Sequence, residues 1–350
     1  MQFGLRFQYA LAKNGTLIGL ILLIIAFYIA NPNFLSLANA RNIGEAVSAL
    51  GVVSIPLALL VISGAVDLSV GSVASLAGIV GALVMLATGS TILGIAAGLG
   101  VGLGAGMING VLVSYFRLNS IVVTLGALSV WGGLALYITG GRTVAGLPEA
   151  FVGLGLIRVF GVPLEIVILI GAIAYGLILL DRLPFGRRLY AVGGNRRAAF
   201  LMGVPVQRVQ FLMFLQTGLA ASLAGLMLAS KLSAATPITG QGLEISALTV
   251  VLLGGVAFTG GMGRIGGVVA GLFFVGVLRN GLVVTGTSQF LQQVLLGATL
   301  IAAVAIDDTI RRFARREWIE AAEKDPQPSP ETPAMPKDDL APPLPDWRSS

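Results

Sequence analysis

The 350-residue chain contains no cysteine and no histidine. Disulfides, thiol nucleophiles, imidazole bases and the usual zinc or haem ligation are excluded together. Charge is scarce too: 11% of residues are charged, against about 25% in an ordinary soluble domain. Most of the 16 acidic residues crowd the C-terminal end, leaving Glu45, Asp67, Glu149, Glu165, Asp181 and Glu244 scattered before it. No carboxylate pair recurs at a catalytic spacing, and no Gly-x-x-x-x-Gly-Lys-[Ser/Thr] loop offers a nucleotide site. An enzyme is therefore not expected, nor a resident cofactor or metal.

What is present is hydrocarbon and glycine. Apolar residues make up 56% of the chain, 48 residues are glycine, and the mean hydropathy is +0.92. This composition predicts an all-α integral membrane protein whose helices pack closely through small side chains. Apolar runs long enough to read as spans lie near 14–30, 44–63, 70–88, 91–115, 121–139, 163–180, 210–230, 245–260, 266–285 and 290–306, about ten in all. Ala38-Asn39-Ala40 resembles a signal cleavage site, but it lies well beyond the first apolar run, so that run is read as a retained span. Lys and Arg concentrate in alternate flanks: Arg6 and Lys13, Arg117, the basic loop from Arg182 to Arg208, Arg264, and Arg311 to Arg316. With ten spans, this bias puts both termini in the cytoplasm. The net charge of +6 is then a topology signal and not a nucleic-acid footprint. The sequence divides into a membrane domain over 1–309, with a cytoplasmic loop at 181–209, and a segment over 310–350. The latter starts basic and turns Pro-rich and acidic, a composition expected to stay disordered in the cytoplasm.

Two segments break the pattern. Gly64-Ala65-Val66-Asp67-Leu68-Ser69-Val70-Gly71-Ser72 sets a carboxylate and hydroxyls between apolar runs, where an ionised group costs on the order of 3 kcal/mol. It predicts a helix break at 64–72 that is sheltered from lipid. Asp67 or Ser69 either caps the following helix or lines a path; the two readings are compatible. The second segment is the basic loop. Asn195 is a good N-cap and Gly203 a good stop, so a short helix is expected between them at the cytoplasmic surface. Ala198, Ala199, Phe200 and Met202 suit a partner's groove, although a plain solvated loop fits the pattern as well. Asn109, Thr124 and Asn280 serve either as interhelical glue or as weak contacts to a hydroxylated solute. Arg279 falls within a span and needs a carbonyl or carboxylate partner.

Taken with Gly64 to Ser72, further blocks follow in order: Ile108-Asn109-Gly110, Ile121-Val122-Val123-Thr124-Leu125-Gly126, Thr139-Gly140-Gly141-Arg142, and Gly194-Asn195 with Ala198-Ala199 and Gly203-Val204. Gly240-x-Gly242-x-Glu244 and the glycine-rich stretch from Leu253 to Gly263 complete them. On these blocks the chain resembles the permease subunit of bacterial ABC importers of the ribose-permease-like group. The resemblance implies a permease that forms the translocation path for a sugar-like solute and pairs with a second permease chain. It also implies cytoplasmic ABC ATPase subunits that bind the ATP, a periplasmic solute-binding protein that delivers the solute, and residence in the bacterial inner membrane. On it, Asp67, Ser69, Gly71, Ser72, Asn109, Thr124 and Asn280 belong to the path or the break. Gly194, Asn195, Ala198, Ala199 and Gly203 belong to ATPase coupling, and Arg142 and Glu244 to binding-protein docking at the outer mouth. A secondary transporter coupled to an ion is the competing class. It would favour paired acids within spans. The solute itself stays open among a pentose, another monosaccharide or polyol, autoinducer-2 and a nucleoside.

Overall fold

The computed structural model describes residues 2–288, 290–302 and 305, with side chains from Gly15 onward. The boundary near 309 and the expected tail over 310–350 lie outside the described residues. Helix follows helix: α1 (Gln2–Ala30), α2 (Leu37–Ile62), α3 (Val70–Thr88), α4 (Thr91–Gly110), α5 (Ser120–Thr139), a single turn α6 (Glu149–Val152), α7 (Leu164–Leu177), α8 (Pro184–Gly194), α9 (Arg196–Leu201), α10 (Val206–Leu232), α11 (Leu243–Leu253) and α12 (Ile265–Val284). A further apolar helix covers Phe290–Ala302. The only sheet among the described residues is a two-stranded hairpin, Arg158–Val159 with Val162–Pro163.

Among the described residues seven helical stretches are long and apolar enough to cross a membrane; π-turns extend α4 to Tyr115 and α7 to Arg182 among them. The other three apolar runs are helical too, within α1 at Gly15–Ala30, in α11 at Leu243–Leu253, and over Phe290–Ala302. The run read at 245–260 is thus not one full-length helix. α11 stops at Leu253 after 11 residues, a rise of about 16 Å and about half the hydrocarbon thickness. Hydropathy does not register the stop, because the glycines that end the helix are scarcely polar.

Caps fix the helix starts. Ser36 accepts the Asn39 N–H at α2, Ser90 the Leu93 N–H at α4, and Asn119 the N–H groups of Ile121 and Val122 at α5. Gly89, in the left-handed region, ends α3 and turns the chain directly into α4. α2 is the central element, buried almost continuously from Val47 to Ile62. It runs through Pro56 unbroken.

α3, α4 and α10 pack through small residues at backbone distance. A Cβ at Gly225 would sit 2.0 Å from Ala74 O, one at Gly102 would sit 2.3 Å from Gly218 O, and one at Gly94 would sit 2.6 Å from Gly81 O. α3 and α10 are therefore parallel, with α4 antiparallel to both, and van der Waals contact between backbones supplies what the hydrophobic effect cannot supply in lipid. α5 stands apart, with most of its apolar side chains open to the outside.

One ion cluster ties three helices. Lys231 on α10 lies 3.0 Å from Glu165 on α7 and 3.6 Å from Glu45 on α2. Glu165 is 7% exposed. Replacing Lys231 with Met strands that carboxylate, and the purified chain is expected to lose about 1–3 kcal/mol of stability. Adding Glu165→Gln should restore part of the loss. Thermal unfolding in detergent checks both variants, and an unchanged single variant would deny the cluster a structural role.

Candidate functional site: two helix breaks and a surface helix pair

The first break begins where α2 ends. Gly64 adopts φ +84°, and the next residues run without helix, bending at Leu68, until α3 starts at Val70. Asp67 Oδ1 accepts the Ser69 N–H at 2.8 Å and the Ser69 hydroxyl at 2.6 Å. Asn109 of α4 donates to Ser69 Oγ at 2.9 Å and to Asp67 Oδ2 at 3.4 Å. Asp67, Ser69 and Asn109 are 2%, 0% and 1% exposed. Ser69 occupies the N-cap position, yet its side chain makes no bond to α3; it donates to Asp67 instead. These three residues close on one another and fix the extended strap to α4. Gly71 follows because a Cβ there would meet Glu244 Oε2 at 2.0 Å and Gly240 O at 2.4 Å.

The second break, 254–264, is a glycine loop closed by Ala257 N–H to Met262 O at 3.0 Å. Gly255, Gly260, Gly261 and Gly263 all take positive φ, conformations that any other residue adopts at a cost.

The surface helix pair meets both breaks. α8 and α9 follow the π-turn that ends α7. The Asn195 side chain accepts the Ala198 N–H at 2.9 Å, and Gly203 at φ +79° closes α9, as the sequence predicts. A Cβ at Gly193 would lie 1.9 Å from Ile62 O and 2.5 Å from Gly261 N, and one at Gly260 would lie 2.8 Å from Gly64 Cα. Gly261 N–H donates to Ile62 O at 2.8 Å, and the Tyr190 hydroxyl to Gly263 O at 2.8 Å. Gln210 of α10 adds a bond to Ser63 O at 3.2 Å. Burial and then Asp181 push the Tyr190 phenol above its ordinary range, with Arg264 opposing, so it remains a donor at neutral pH. Three backbones from distant parts of the chain thus touch without intervening side chains. The sequence marks these glycines as a dense block, but only the fold brings 64, 193 and 260 together.

The outward face of the pair is apolar and basic. Phe200, Leu201 and Met202 are 65%, 75% and 83% exposed, with Arg196 and Arg197 beside them. Burial and the Arg117 guanidinium lower the Arg196 pKa from its ordinary value, a like-charge juxtaposition that an acidic partner would relieve. Ala199, grouped with the exposed residues on the sequence pattern, points inward at 5% exposure; Ala198 and Gly194 remain exposed.

The remaining sites separate. Thr124 is fully buried and its hydroxyl donates to Ser120 O within α5. Asn280 accepts from Asn39, joining α12 to α2. Arg279 donates to the Ser246 hydroxyl at 2.7 Å, not to a carbonyl or carboxylate. Arg142 lies exposed just beyond α5. Glu244 packs beside Gly71 at the start of α3, and Gly240 donates to Ser75 Oγ at 2.9 Å. Ser75 lies on the stretch of α3 whose Ala74 faces Gly225 of α10. The chain has therefore doubled back after α10, carrying 240–244 away from the loops.

A buried strap, a glycine loop and a surface helix pair set on an apolar helical body fit a transport permease, and similarity to known proteins gives that class. The family described as the branched-chain amino acid transport system permease component matches residues 39–304, and the chain belongs to that family. The L-arabinose transport system permease protein of Escherichia coli is 37% identical over 295 residues, 84% of this chain and 90% of its own. The ribose import permease protein of Bacillus subtilis is 34% identical over 305 residues, 87% of this chain and 95% of its own. The D-allose transport system permease protein of Escherichia coli is 33% identical over 310 residues, 87% of this chain and 95% of its own. No solved structure matches the chain significantly. It is an integral protein of the bacterial inner membrane.

Proposed function

We propose that this chain is the membrane subunit of an ABC importer for a monosaccharide, with ten spans and both termini in the cytoplasm. Paired with a second permease chain, it receives solute from a periplasmic binding protein and is driven by cytoplasmic ATPase subunits that bind the ATP. The observation that carries this reading is the direct backbone contact of the α8–α9 pair with both helix breaks. A movement imposed on that pair from the cytoplasm reaches both breaks without passing through a flexible side chain. The sugar class rests on relatives named for L-arabinose, ribose and D-allose. The ion-coupled alternative is disfavoured by its own criterion. The acidic pair Glu45 and Glu165 shares Lys231, which neutralises the one close pair of carboxylates among the described residues.

In this reading Phe200 to Met202 enter a groove of the ATPase subunit, while Arg142 lies on the side that meets the binding protein. Because Met202 is 83% exposed, Met202→Glu should leave membrane insertion intact. Solute uptake by cells is expected to fall about tenfold or more, as for an interface anchor, and the ATPase subunit to stop co-purifying. Unchanged uptake with the ATPase still bound would overturn the coupling assignment.

A further inference from the structure

Between α3, α5 and the doubled-back segment lies a cavity of about 170 Å³ that the sequence reading did not assign. Ser72, Ser75, Gln241 and Glu244 line it, and Leu128 and Leu136 of α5 form its apolar wall. Ser72, in the first turn of α3 just after the first break, lines it, whereas Asp67, Ser69 and Asn109 do not.

The polar groups retain unused bonding capacity. Ser72 donates to Ser69 O at 2.9 Å, which leaves its oxygen free to accept. Ser75 accepts the Gly240 N–H, which leaves its hydrogen free to donate. Glu244 Oε1 takes the Gly242 N–H at 3.1 Å, and its other oxygen rests beside Gly71. The exposed Gln241 amide offers both a donor and an acceptor. A wall that alternates acceptors and donors, opposite a leucine face, matches a small ring bearing several hydroxyls. Each hydroxyl both gives and takes a hydrogen bond, while the C–H edges need an apolar surface.

The geometry points to this cavity as a transit station for a polyol, with Glu244 as the residue that reads its hydroxyls. The inference rests on the importer reading above and adds a location and a selectivity determinant to it. Glu244 then acts inside the path and not on the docking rim.

The test uses the complete importer, with its ATPase subunits and binding protein, in proteoliposomes. D-ribose and L-arabinose are the probes and 2-deoxy-D-ribose is the comparison. Glu244→Gln keeps an oxygen for the Gly242 N–H, so the local fold is retained. Uptake of the better-transported probe is expected to fall about tenfold, the loss of one hydrogen bond to a charged group. The preference for D-ribose over its deoxy analogue should shrink relative to wild type, because the binding protein's own selectivity cancels in that ratio. Binding-protein affinity and ATP hydrolysis stay unchanged. Gln241→Ala, which breaks no hydrogen bond within the chain, is expected to slow uptake several-fold. Unaltered uptake and preference in both variants would overturn the station. A drop explained by weakened binding-protein affinity would also overturn it and return Glu244 to the rim. A wild-type assembly that moves neither sugar refutes the importer-of-monosaccharides reading itself, a failure visible before any variant is made.

Discussion

Gly193→Ala is expected to abolish uptake, while Gly194→Ala next to it leaves uptake near wild type. A methyl at Gly193 would lie 1.9 Å from one backbone oxygen and 2.5 Å from a backbone nitrogen, whereas nothing lies within 4 Å of a methyl at Gly194. Neither obstructing atom can swing aside, so either the surface pair lifts off the first break or the Gly261 to Ile62 bond that the methyl faces gives way. Overpacking of this kind costs about 1–3 kcal/mol or more. The cost falls on the backbone contact that joins α8 to both helix breaks. Solute-dependent ATP hydrolysis and uptake, measured together in proteoliposomes, decide the point: Gly193→Ala should separate the two, so that ATP is consumed with little solute moved. Tyr190→Phe, which deletes only the bond to Gly263, should produce a milder form of the same separation. If the two glycine variants transport equally, the contact does not transmit motion.

Asp67→Ala should show itself in stability before selectivity. The substitution leaves the Ser69 N–H, the Ser69 hydroxyl and one Asn109 interaction without their acceptor, in a site 0–2% exposed. Each hydrogen bond to a charged group contributes about 1.5–3 kcal/mol and each stranded buried donor costs about as much. A loss of about 3 kcal/mol or more is expected, with the strap released from α4 and little folded protein recovered. Asp67→Asn keeps an acceptor for Ser69 but sets an amide against the Asn109 amide, so its effect should be smaller. Thermal unfolding of the detergent-purified chain ranks the three proteins. An Asp67→Ala chain as stable as wild type, yet altered in solute preference, would make Asp67 a path residue after all.

How much of this was legible in the sequence follows the range of the interactions involved. Local signals held: the cap at Asn195, the break after Ile62 and the stop at Gly203 all depend on residues within a few positions. α11 was read as too long because a hydropathy window averages across Gly254 and Gly255. Ala199 was placed outward because a six-residue helix carries too few residues to show which face is buried. Glu244 was placed at the rim because a charged residue after a span usually sits there. Only the contact of Gly240 with Gly71 and Ser75, far apart in the chain, shows that the segment doubles back. The family blocks located Asp67, Asn109 and the glycine loop, but nothing local says which of them touch.

The glycine contact among residues 64, 193 and 260 has a consequence for how the machine responds to its surroundings. Its contacting surfaces are peptide groups and methylene carbons. It therefore carries no ionised group for salt to screen. The α8–α9 face proposed to receive the ATPase subunit is different, studded with Arg196 and Arg197 beside bare apolar side chains. Raising ionic strength should therefore loosen the grip on the motor while leaving the relay behind it as stiff as before. A transporter assembled this way stalls in brine by disengaging, not by slipping.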